Sequence, residues 1–182
     1  MEDMENIELD RIMLKKSGKN FLIFNNGEVI KKTIKDVYLK FGIENYNENK
    51  ILNIYVNKNN DKYTNDEYNN VIDIYNHIKT ISRFTKEPCN ARKYKFDNKI
   101  FKYPLKKKTE NGVNLVIIRS YLSHNVEIYT KDKKKLDNNA NIIGYMADVN
   151  IVIKTLWKTS TNIGVIIYTE VIKLKEKIEE QL

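Results

Sequence analysis

Two long runs of β-branched and aliphatic residues, separated by one short polar turn, constrain the fold more than any other stretch. Val149–Trp157 is followed by the turn at residues 158–162 and then by Ile163–Leu174. β-Branched side chains favour extended backbone, and a short turn between two such runs predicts an antiparallel hairpin. The only tryptophan, Trp157, stands where the first run meets the turn. This part of the chain is therefore predicted to be a strand pair that presents an aromatic ring among lysines.

Further strand signals flank one helical segment. Residues 50–56 alternate, so Leu52, Ile54 and Val56 are predicted to share one buried face. Asn65–Arg83 has apolar residues at every third or fourth position and predicts an amphipathic helix, with His77 on or beside its apolar stripe. The other predicted strands are Ile7–Lys16, Asn20–Phe24, Glu28–Ile34, Tyr94–Phe96, Lys99–Tyr103, Val113–Tyr121 and Val126–Lys131.

Asparagine, aspartate and glycine mark where these strands turn. Asn26-Gly27 predicts a tight hairpin, because both residues tolerate positive φ. Asp97-Asn98 and His124-Asn125 are expected to join two more strand pairs, and Gly164 to let the last strand curve. A strand cluster, one main helix and five or six further strands predict a mainly β fold, a sandwich or a small closed barrel.

At 182 residues the chain is predicted to be a single domain over residues 1–182, with a charged, helix-prone C-terminal tail at residues 175–182. The formal net charge is +8. Residues 91–135 hold 13 basic and 4 acidic side chains, whereas residues 44–82 hold 4 and 6. Lysine-rich composition can come from an AT-rich genome, but this uneven placement favours a polyanionic partner.

Several classes of chemistry lack their usual sequence signs. Cys89 is the only cysteine, and His77 and His124 stand alone without metal-ligand spacing. There is no glycine-rich phosphate loop. The apolar runs are too short to cross a bilayer, and the N-terminal residues do not resemble a signal peptide. We therefore expect no cofactor, no metal, no enzymatic activity and no membrane partner, and an intracellular location, in the host cytoplasm if the chain is viral.

Aromatic and basic side chains alternate along several predicted strands. Proteins that hold single-stranded nucleic acid combine a positive groove with aromatic rings on which bases stack. Arg119 and Tyr121 share a strand face, as do Tyr129 and Lys131. The predicted contacts are Tyr103, Lys106, Lys107, Lys108, Arg119, Tyr121, Tyr129, Lys131, Tyr145, Lys154, Trp157 and Lys158.

Each of these residues also has an ordinary structural interpretation. A tyrosine on a strand commonly belongs to the core or the sheet surface. Trp157 has the same parity as Ile151 and Ile153, which is also consistent with core packing. Lys106–Lys108 is also consistent with a solvated turn.

The order of these features resembles the single-stranded DNA-binding proteins of large cytoplasmic DNA viruses, the poxvirus-type group, and of related tailed phages. Three segments carry the resemblance. Leu39–Tyr46, with its Phe-Gly turn, leads into Lys50–Val56. Asn65–Ser82 lies where the family has its helix. Asn141–Leu174 contains a glycine, a β run ending in an aromatic residue, a turn and a long last strand.

The resemblance implies an OB fold, a five-stranded Greek-key barrel, here with extra N-terminal strands. It implies sequence-independent binding of single-stranded DNA in replication, recombination or repair, without a cofactor, and it favours Lys154, Trp157 and Lys158 as contacts. The mixed charge of residues 176–182 departs from the acidic tail common in proteins of this function, which puts tail-mediated recruitment of replication or recombination proteins in doubt. RNA as ligand and homo-oligomers remain open.

Two alternatives belong to other functional classes. A protein-interaction or regulatory module, such as a viral accessory factor, could use the same β scaffold, with its basic charge arising from codon usage. A metal-dependent nuclease would need several acidic residues brought together around Mg²⁺.

Overall fold

Eleven strands and two helices form along the described chain. The computed structural model describes residues 9–57 and 65–178. A 3₁₀ turn at Leu9–Arg11 precedes the first strand, and the helices are α1 (Asn65–Lys86) and α2 (Pro88–Tyr94). The strands are β1 (Ile12–Ser17), β2 (Asn20–Asn25), β3 (Ile30–Leu39), β4 (Ile43–Tyr46), β5 (Asn49–Asn57), β6 (Ile100–Lys102), β7 (Leu105–Glu110), β8 (Val113–Tyr129), β9 (Lys135–Leu136), β10 (Tyr145–Lys158) and β11 (Asn162–Lys177).

Five of these strands close into a barrel. Going round the ring, β3 pairs with β5, β5 with β8, β8 with β11, β11 with β10, and β10 with β3 again. The β8–β11 contact is parallel and the other four are antiparallel. Ring closure leaves these strands without free edges, and it confirms the predicted small closed barrel.

The barrel interior is aliphatic with one polar pair. Alternate residues of the ring strands, such as Ile54, Ile118 and Ile167, are fully buried in a single core. Leu52, Ile54 and Val56 share the inner face of β5, as predicted. The hydroxyl of Ser120 hydrogen-bonds the carbonyl of Leu52 at 2.8 Å and the hydroxyl of Thr169 at 2.7 Å, so these buried polar groups are satisfied.

Helix α1 packs its predicted apolar stripe onto the core. It begins at Asn65 as predicted and extends three residues further, to Lys86. Ile78 and Ile81 of this stripe are completely buried, as is Ile74, whereas Ile72, which the spacing also placed on the stripe, is 38% exposed. His77 lies beside them with 4% of its surface exposed, as expected. Neither helix in the described ranges combines the length and the apolar composition needed to span a bilayer.

The predicted hairpin around Asn26-Gly27 is correct in its turn and wrong in its strand pairing. Both residues have positive φ, and Asn25 and Glu28 exchange backbone hydrogen bonds at 2.8 and 3.0 Å. Beyond that turn β2 and β3 separate, because β10 pairs with both of them along the same edge. The longer contact with β10 therefore replaces the local one.

Two other predicted hairpins are wrong. Pro88–Tyr94 is helical and ends at Lys95, which has a left-handed φ of 59°, so Tyr94–Phe96 is not a strand. Pro88 in the first turn and the helix-forming residues after it explain this helix. His124-Asn125 is not a turn but lies within the 17-residue strand β8, which carries three extra residues there relative to β11.

Two further predictions, both based on runs of charged residues, are wrong. Lys106–Lys108 belongs to β7, which pairs with β8 across a turn at Asn111-Gly112. The predicted solvated turn is therefore wrong. Lys175–Lys177 continues strand β11 instead of starting a helix-prone tail. Residues 179–182 of the predicted tail, and residues 7 and 8 of the first predicted strand, lie outside the described residues.

A bulge in β10 decides which way Trp157 points. Ile151 and Ile153 face the core, but Lys154 is an extra residue between the pairs Ile153–Ile167 and Thr155–Ile166. Beyond the bulge the even-numbered Leu156 faces the core instead. Trp157 therefore lies on the outer face, and its parity with Ile153 does not make it a core residue.

Candidate nucleic-acid interface

A groove of about 580 Å³ lies on the outside of the barrel over β5 and β8. Strand β4 lines one side, and the connection from β6 to β7 lines the other. We call this groove the aromatic groove and define it by Tyr46, Tyr55, Tyr103, Lys106 and Arg119. Three of these five residues, Tyr103, Lys106 and Arg119, were predicted as contacts.

Strand alternation places these side chains on the outside. Because Leu52, Ile54 and Val56 fill the interior, Asn53 and Tyr55 face outward. In the first half of β8 the buried residues are Val116, Ile118 and Ser120, so the face shared by Ile117, Arg119 and Tyr121 is the outer one. The sequence pattern alone indicated that this face could begin in the core. It lies outside along its described length.

One cation in the aromatic groove, Arg119, and one beside the groove, Lys40, lie against rings. The Arg119 guanidinium is 5.0 Å from the ring centre of Tyr46, which is 53% exposed. Lys40 Nζ lies 5.3 Å from the ring centre of Phe41 and 5.9 Å from that of Tyr55, just beyond one end of the groove. A ring holds a cation near its face without neutralising it. These positive charges therefore remain available to an anion.

Tyr103 is held in the groove by stacking. Its ring is parallel to that of Tyr75 on α1, with centres 5.6 Å apart and an angle of 22°. Phe101 meets Tyr103 edge to face at 5.0 Å. Lys107 Nζ lies 5.2 Å from the Tyr75 ring, whereas Lys106 has the opposite parity on β7 and lines the groove. Lys108 shares the parity of Lys106 and is exposed.

The outer surface continues from the aromatic groove onto β11. Tyr121 lies opposite Tyr168, with ring centres 6.3 Å apart, and both line a second cavity of about 400 Å³ beside Lys50 and His124. Ile51, buried on the outer face, lies opposite Tyr121 on the other side. Tyr121 thus links two neighbouring cavities along one strip of the barrel.

Trp157 lies apart from the aromatic groove, near the β10–β11 turn. Its indole sits directly over Gly164, where an added Cβ would come within 2.5 Å of the ring. Gly164 is therefore required for this close approach, in addition to any curvature expected of it. Trp157 is half-buried, and Lys154 is exposed at the bulge.

Lys158 is used structurally. Its Nζ donates to the carbonyl of Tyr94 at 2.8 Å and lies over the rings of Phe21 and Phe96 at 5.5 and 5.8 Å. Burial, and then the ammonium groups of Lys99, Lys95 and Lys16, lower the pKa of Lys158 below its usual value. A lysine predicted as a DNA contact thus also ties α2 to the end of β10.

Tyr129 and Lys131 line a different cavity, of about 750 Å³, at the other end of β11. We call it the carboxylate cavity, because two of its lysines meet carboxylates. Lys175 Nζ donates to Asp36 and, at 2.9 Å, to Asp148. Lys131 is 3.7 Å from Glu176.

Proton equilibria in the carboxylate cavity follow this pairing. Burial alone would lower the pKa of Lys175, but hydrogen bonds to Asp36 and Asp148 raise it above its usual value. The Tyr129 hydroxyl donates to Glu127 at 2.6 Å, and this bond raises the pKa of Tyr129.

The structure therefore divides the predicted contacts among separate places. Tyr103, Lys106, Arg119 and Tyr121 come together, with Lys107 and Lys108 on the adjoining strand. Lys154, Trp157 and Lys158 lie near the β10–β11 turn. Tyr145 pairs with Lys177, whose Nζ is 5.9 Å from the Tyr145 ring.

Several groove residues were not predicted from the sequence. Tyr55 alternates with Ile54 and Val56, so the sequence predicts that its side chain faces outward. The sequence did not indicate that Tyr55 would line a groove. Tyr46 precedes Asn47-Glu48, a turn with two positive φ values that folds β4 onto β5. Tyr75 and Tyr168 join the surface only through long-range packing.

Metal-binding chemistry has no obvious site in the part of the chain that the structure describes. There, no three His, Cys, Asp or Glu side chains are close enough together to hold a metal ion. Cys89 is exposed, and His124 is exposed beside the second cavity. The described groups are suited to stacking and charge pairing.

The barrel resembles solved structures of phage single-stranded DNA-binding proteins. The gp2.5 protein of bacteriophage T7 matches with a TM-score of 0.54 at 11% identity, over 85% of this chain and 90% of that one. A C-terminally truncated single-stranded DNA-binding protein of bacteriophage Enc34 matches with a TM-score of 0.51 at 13% identity, over 95% and 99%. The Enc34 protein in complex with single-stranded DNA matches with a TM-score of 0.50 at 13% identity, over 91% and 94%.

These matches confirm the predicted OB fold with additional strands. Identities of 11 to 13% establish likeness of fold and not membership of a family. No protein-family model matches the sequence, and no curated protein matches it.

Proposed function

We propose that this chain binds single-stranded DNA without sequence preference and that the aromatic groove, with Tyr121, is its main contact surface. The observation that carries the proposal is the row of rings and unneutralised cations on the outer face of β5 and β8. OB barrels use the face of their second and third strands to bind oligonucleotides, and β5 and β8 are the second and third strands of this ring. The fold shared with phage single-stranded DNA-binding proteins supports the same function.

Each group has a physical role in this proposal. Tyr103 and Tyr121 stack on bases, which requires no base identity because every base has a π face. Arg119 and Lys106 neutralise phosphates. Lys107 and Lys108 add positive charge on the neighbouring strand. The groove is open to solvent along one side, so a DNA strand can bind in it from that side and does not need a free end.

The proposal extends to the biological role. Coating of single strands serves replication, recombination or repair, with no chemical step, and it brings the protein together with replication or recombination proteins in the host cytoplasm. We also propose that the chain is related to the poxvirus-type single-stranded DNA-binding proteins as well as to the phage proteins. RNA binding and self-association are variants that a binding experiment separates.

The test is a titration of fluorescently labelled single-stranded and duplex oligonucleotides of the same sequence. We expect much tighter binding to the single strand, with affinity that falls steeply between about 50 and 200 mM salt. Equal affinity for duplex, or affinity that ignores salt, would reject the proposal. Matched RNA measures the DNA preference, and Mg²⁺-dependent loss of the labelled oligonucleotide would reveal a nuclease instead.

Trp157 is proposed as a separate base platform. Replacing Trp157 with Ala should cost roughly 1–3 kcal/mol of binding free energy if a base stacks there. Unchanged affinity with the fold intact, measured by circular dichroism, would leave the indole with only its contact to Gly164.

A further inference from the structure

Four lysines from four separate segments converge beside the β10–β11 turn. We call Lys16, Lys95, Lys99 and Lys158 the lysine cluster. They come from β1, from the end of α2, from the loop before β6 and from the end of β10. Lys158 donates to the carbonyl of Tyr94, the residue before Lys95, and lies over the ring of Phe21, which pairs with Lys16 across β1 and β2. Lys99 Nζ donates to the carbonyls of Thr159 and, at 3.1 Å, Ser160, which holds the start of β6 against the turn.

Like charges in this cluster repel one another. The ammonium groups of Lys99 and Lys158 donate to carbonyl oxygens, which carry partial and not full charge. Lys16 and Lys95 are exposed. An anion that bridges the ammonium groups would relieve the repulsion, so the arrangement suits a phosphate.

Strand β6 connects the lysine cluster to the aromatic groove. It runs parallel to the first residues of β11, from Lys99 just before its start to Tyr103 just after its end. Four residues of strand cover about 13 Å. Trp157, Gly164 and Lys102 are in register across β10, β11 and β6, and Ile100 is 62% exposed on the same strand as Lys102.

We propose that the lysine cluster is a second phosphate-binding site that holds the same DNA strand after it leaves the aromatic groove along β6. This inference rests on the proposed function. It predicts that long oligonucleotides use both sites, whereas short ones use the groove alone.

The experiment compares oligothymidylates of about 4 and about 16 nucleotides, the two ends of the range of site sizes of one OB fold. The test variant carries Lys16→Gln and Lys95→Asn, because the side chains of these two lysines make no hydrogen bond within the described residues and asparagine tolerates the left-handed backbone at position 95. The control, Lys35→Gln with Lys79→Gln, removes the same charge at exposed positions elsewhere.

We expect the test variant to bind the long oligonucleotide several-fold more weakly than the control does. Its salt slope should be smaller by about 1.4, because each phosphate contact contributes about 0.7 for single strands. Affinity for the short oligonucleotide should match that of the control. Equal loss for both lengths, or no difference from the control at the long length, would overturn the second site.

The single tryptophan gives a second readout on the unmodified chain. Trp157 lies beside the proposed path, so its fluorescence should change at saturation with the long oligonucleotide and change much less with the short one. No change with the long oligonucleotide would overturn the path along β6. Failure of the unmodified chain to bind either length would instead reject the proposed function itself.

Discussion

The aromatic groove and the carboxylate cavity contain the same kinds of residue in opposite pairings. Both have tyrosines and basic side chains that were predicted as DNA contacts. In the groove, Arg119 lies against a ring. In the cavity, Lys175 lies between Asp36 and Asp148, and Lys131 lies near Glu176. A cation against a ring keeps its charge for a ligand, whereas a cation against a carboxylate is neutralised within the fold.

The largest expected difference between the two regions concerns their tyrosines. Tyr121→Ala should weaken binding of single-stranded DNA by roughly 1–3 kcal/mol, because a stacking platform is lost. Tyr129→Ala, in the carboxylate cavity, is the matched control, since the Tyr129 hydroxyl is already bound to Glu127. Anisotropy titrations of both variants measure the difference, and equal affinity of the two would contradict the comparison.

For the cations, we expect the larger effect on stability in the carboxylate cavity and the larger effect on DNA binding in the aromatic groove. Lys175→Met should lower the free energy of unfolding by about 1 kcal/mol, because partial exposure weakens hydrogen bonds between charged groups that are otherwise worth roughly 1.5–3 kcal/mol. DNA affinity should not change. Arg119→Met should weaken DNA binding and alter stability less. Urea unfolding together with DNA titration would expose a reversed pattern.

His77 represents a third environment, in which a positive charge would have neither a ring nor a full ion pair. Burial, and then the Lys32 ammonium, lower its pKa below the usual 6.5, and Asp73 opposes them. The unfolded chain therefore takes up a proton first as the pH falls. Stability should be highest above about pH 6.5 and fall below it, by at most about 1.4 kcal/mol per pH unit.

Unfolding measured between pH 7 and pH 5 tests this expectation for His77. His77→Leu should flatten the pH dependence in that range. His124→Gln, at an exposed position, is the matched control. An equally steep profile in the His77 variant would show that other groups cause it.

The smallest expected effect separates two exposed lysines. Lys106→Gln in the groove should reduce the salt slope of single-strand binding by about 0.7, the value for one phosphate contact. Lys131→Gln, near Glu176, should leave the slope unchanged. Titrations at several salt concentrations give both slopes, and a matching decrease in the two variants would remove the distinction between the regions.

Local patterns predicted the parts of the fold that depend on neighbouring residues. The β10–β11 hairpin, α1 and the inner face of β5 follow from alternation and helical spacing. The Asn26-Gly27 turn was also correct, but its strands were not, because pairing with β10 involves residues more than a hundred positions away. The prediction of a turn at His124-Asn125 was wrong because β8 carries three extra residues there relative to β11. This difference is defined only by the pairing of the two strands, which are far apart in the sequence.

The candidate site was predictable to a similar extent. Arg119 and Tyr121 share a face by alternation, and the structure brings them to one surface. Which lysines meet carboxylates was not predictable, because Asp36 and Lys175 are 139 residues apart. The sequence therefore identified the residue types of the surface, while long-range contacts decided which of them remain available.

The extra residue at Lys154 changes which side chains of β10 face the core. Before it, odd-numbered side chains fill the core, and after it Leu156 does so while Trp157 faces outward. Deleting Lys154 would remove the bulge and place Leu156 two positions after Ile153, so regular alternation would keep Leu156 inside and the indole outside. Related chains should therefore tolerate either length here, whereas a strand that kept the residue but lost the bulge would turn Trp157 inward.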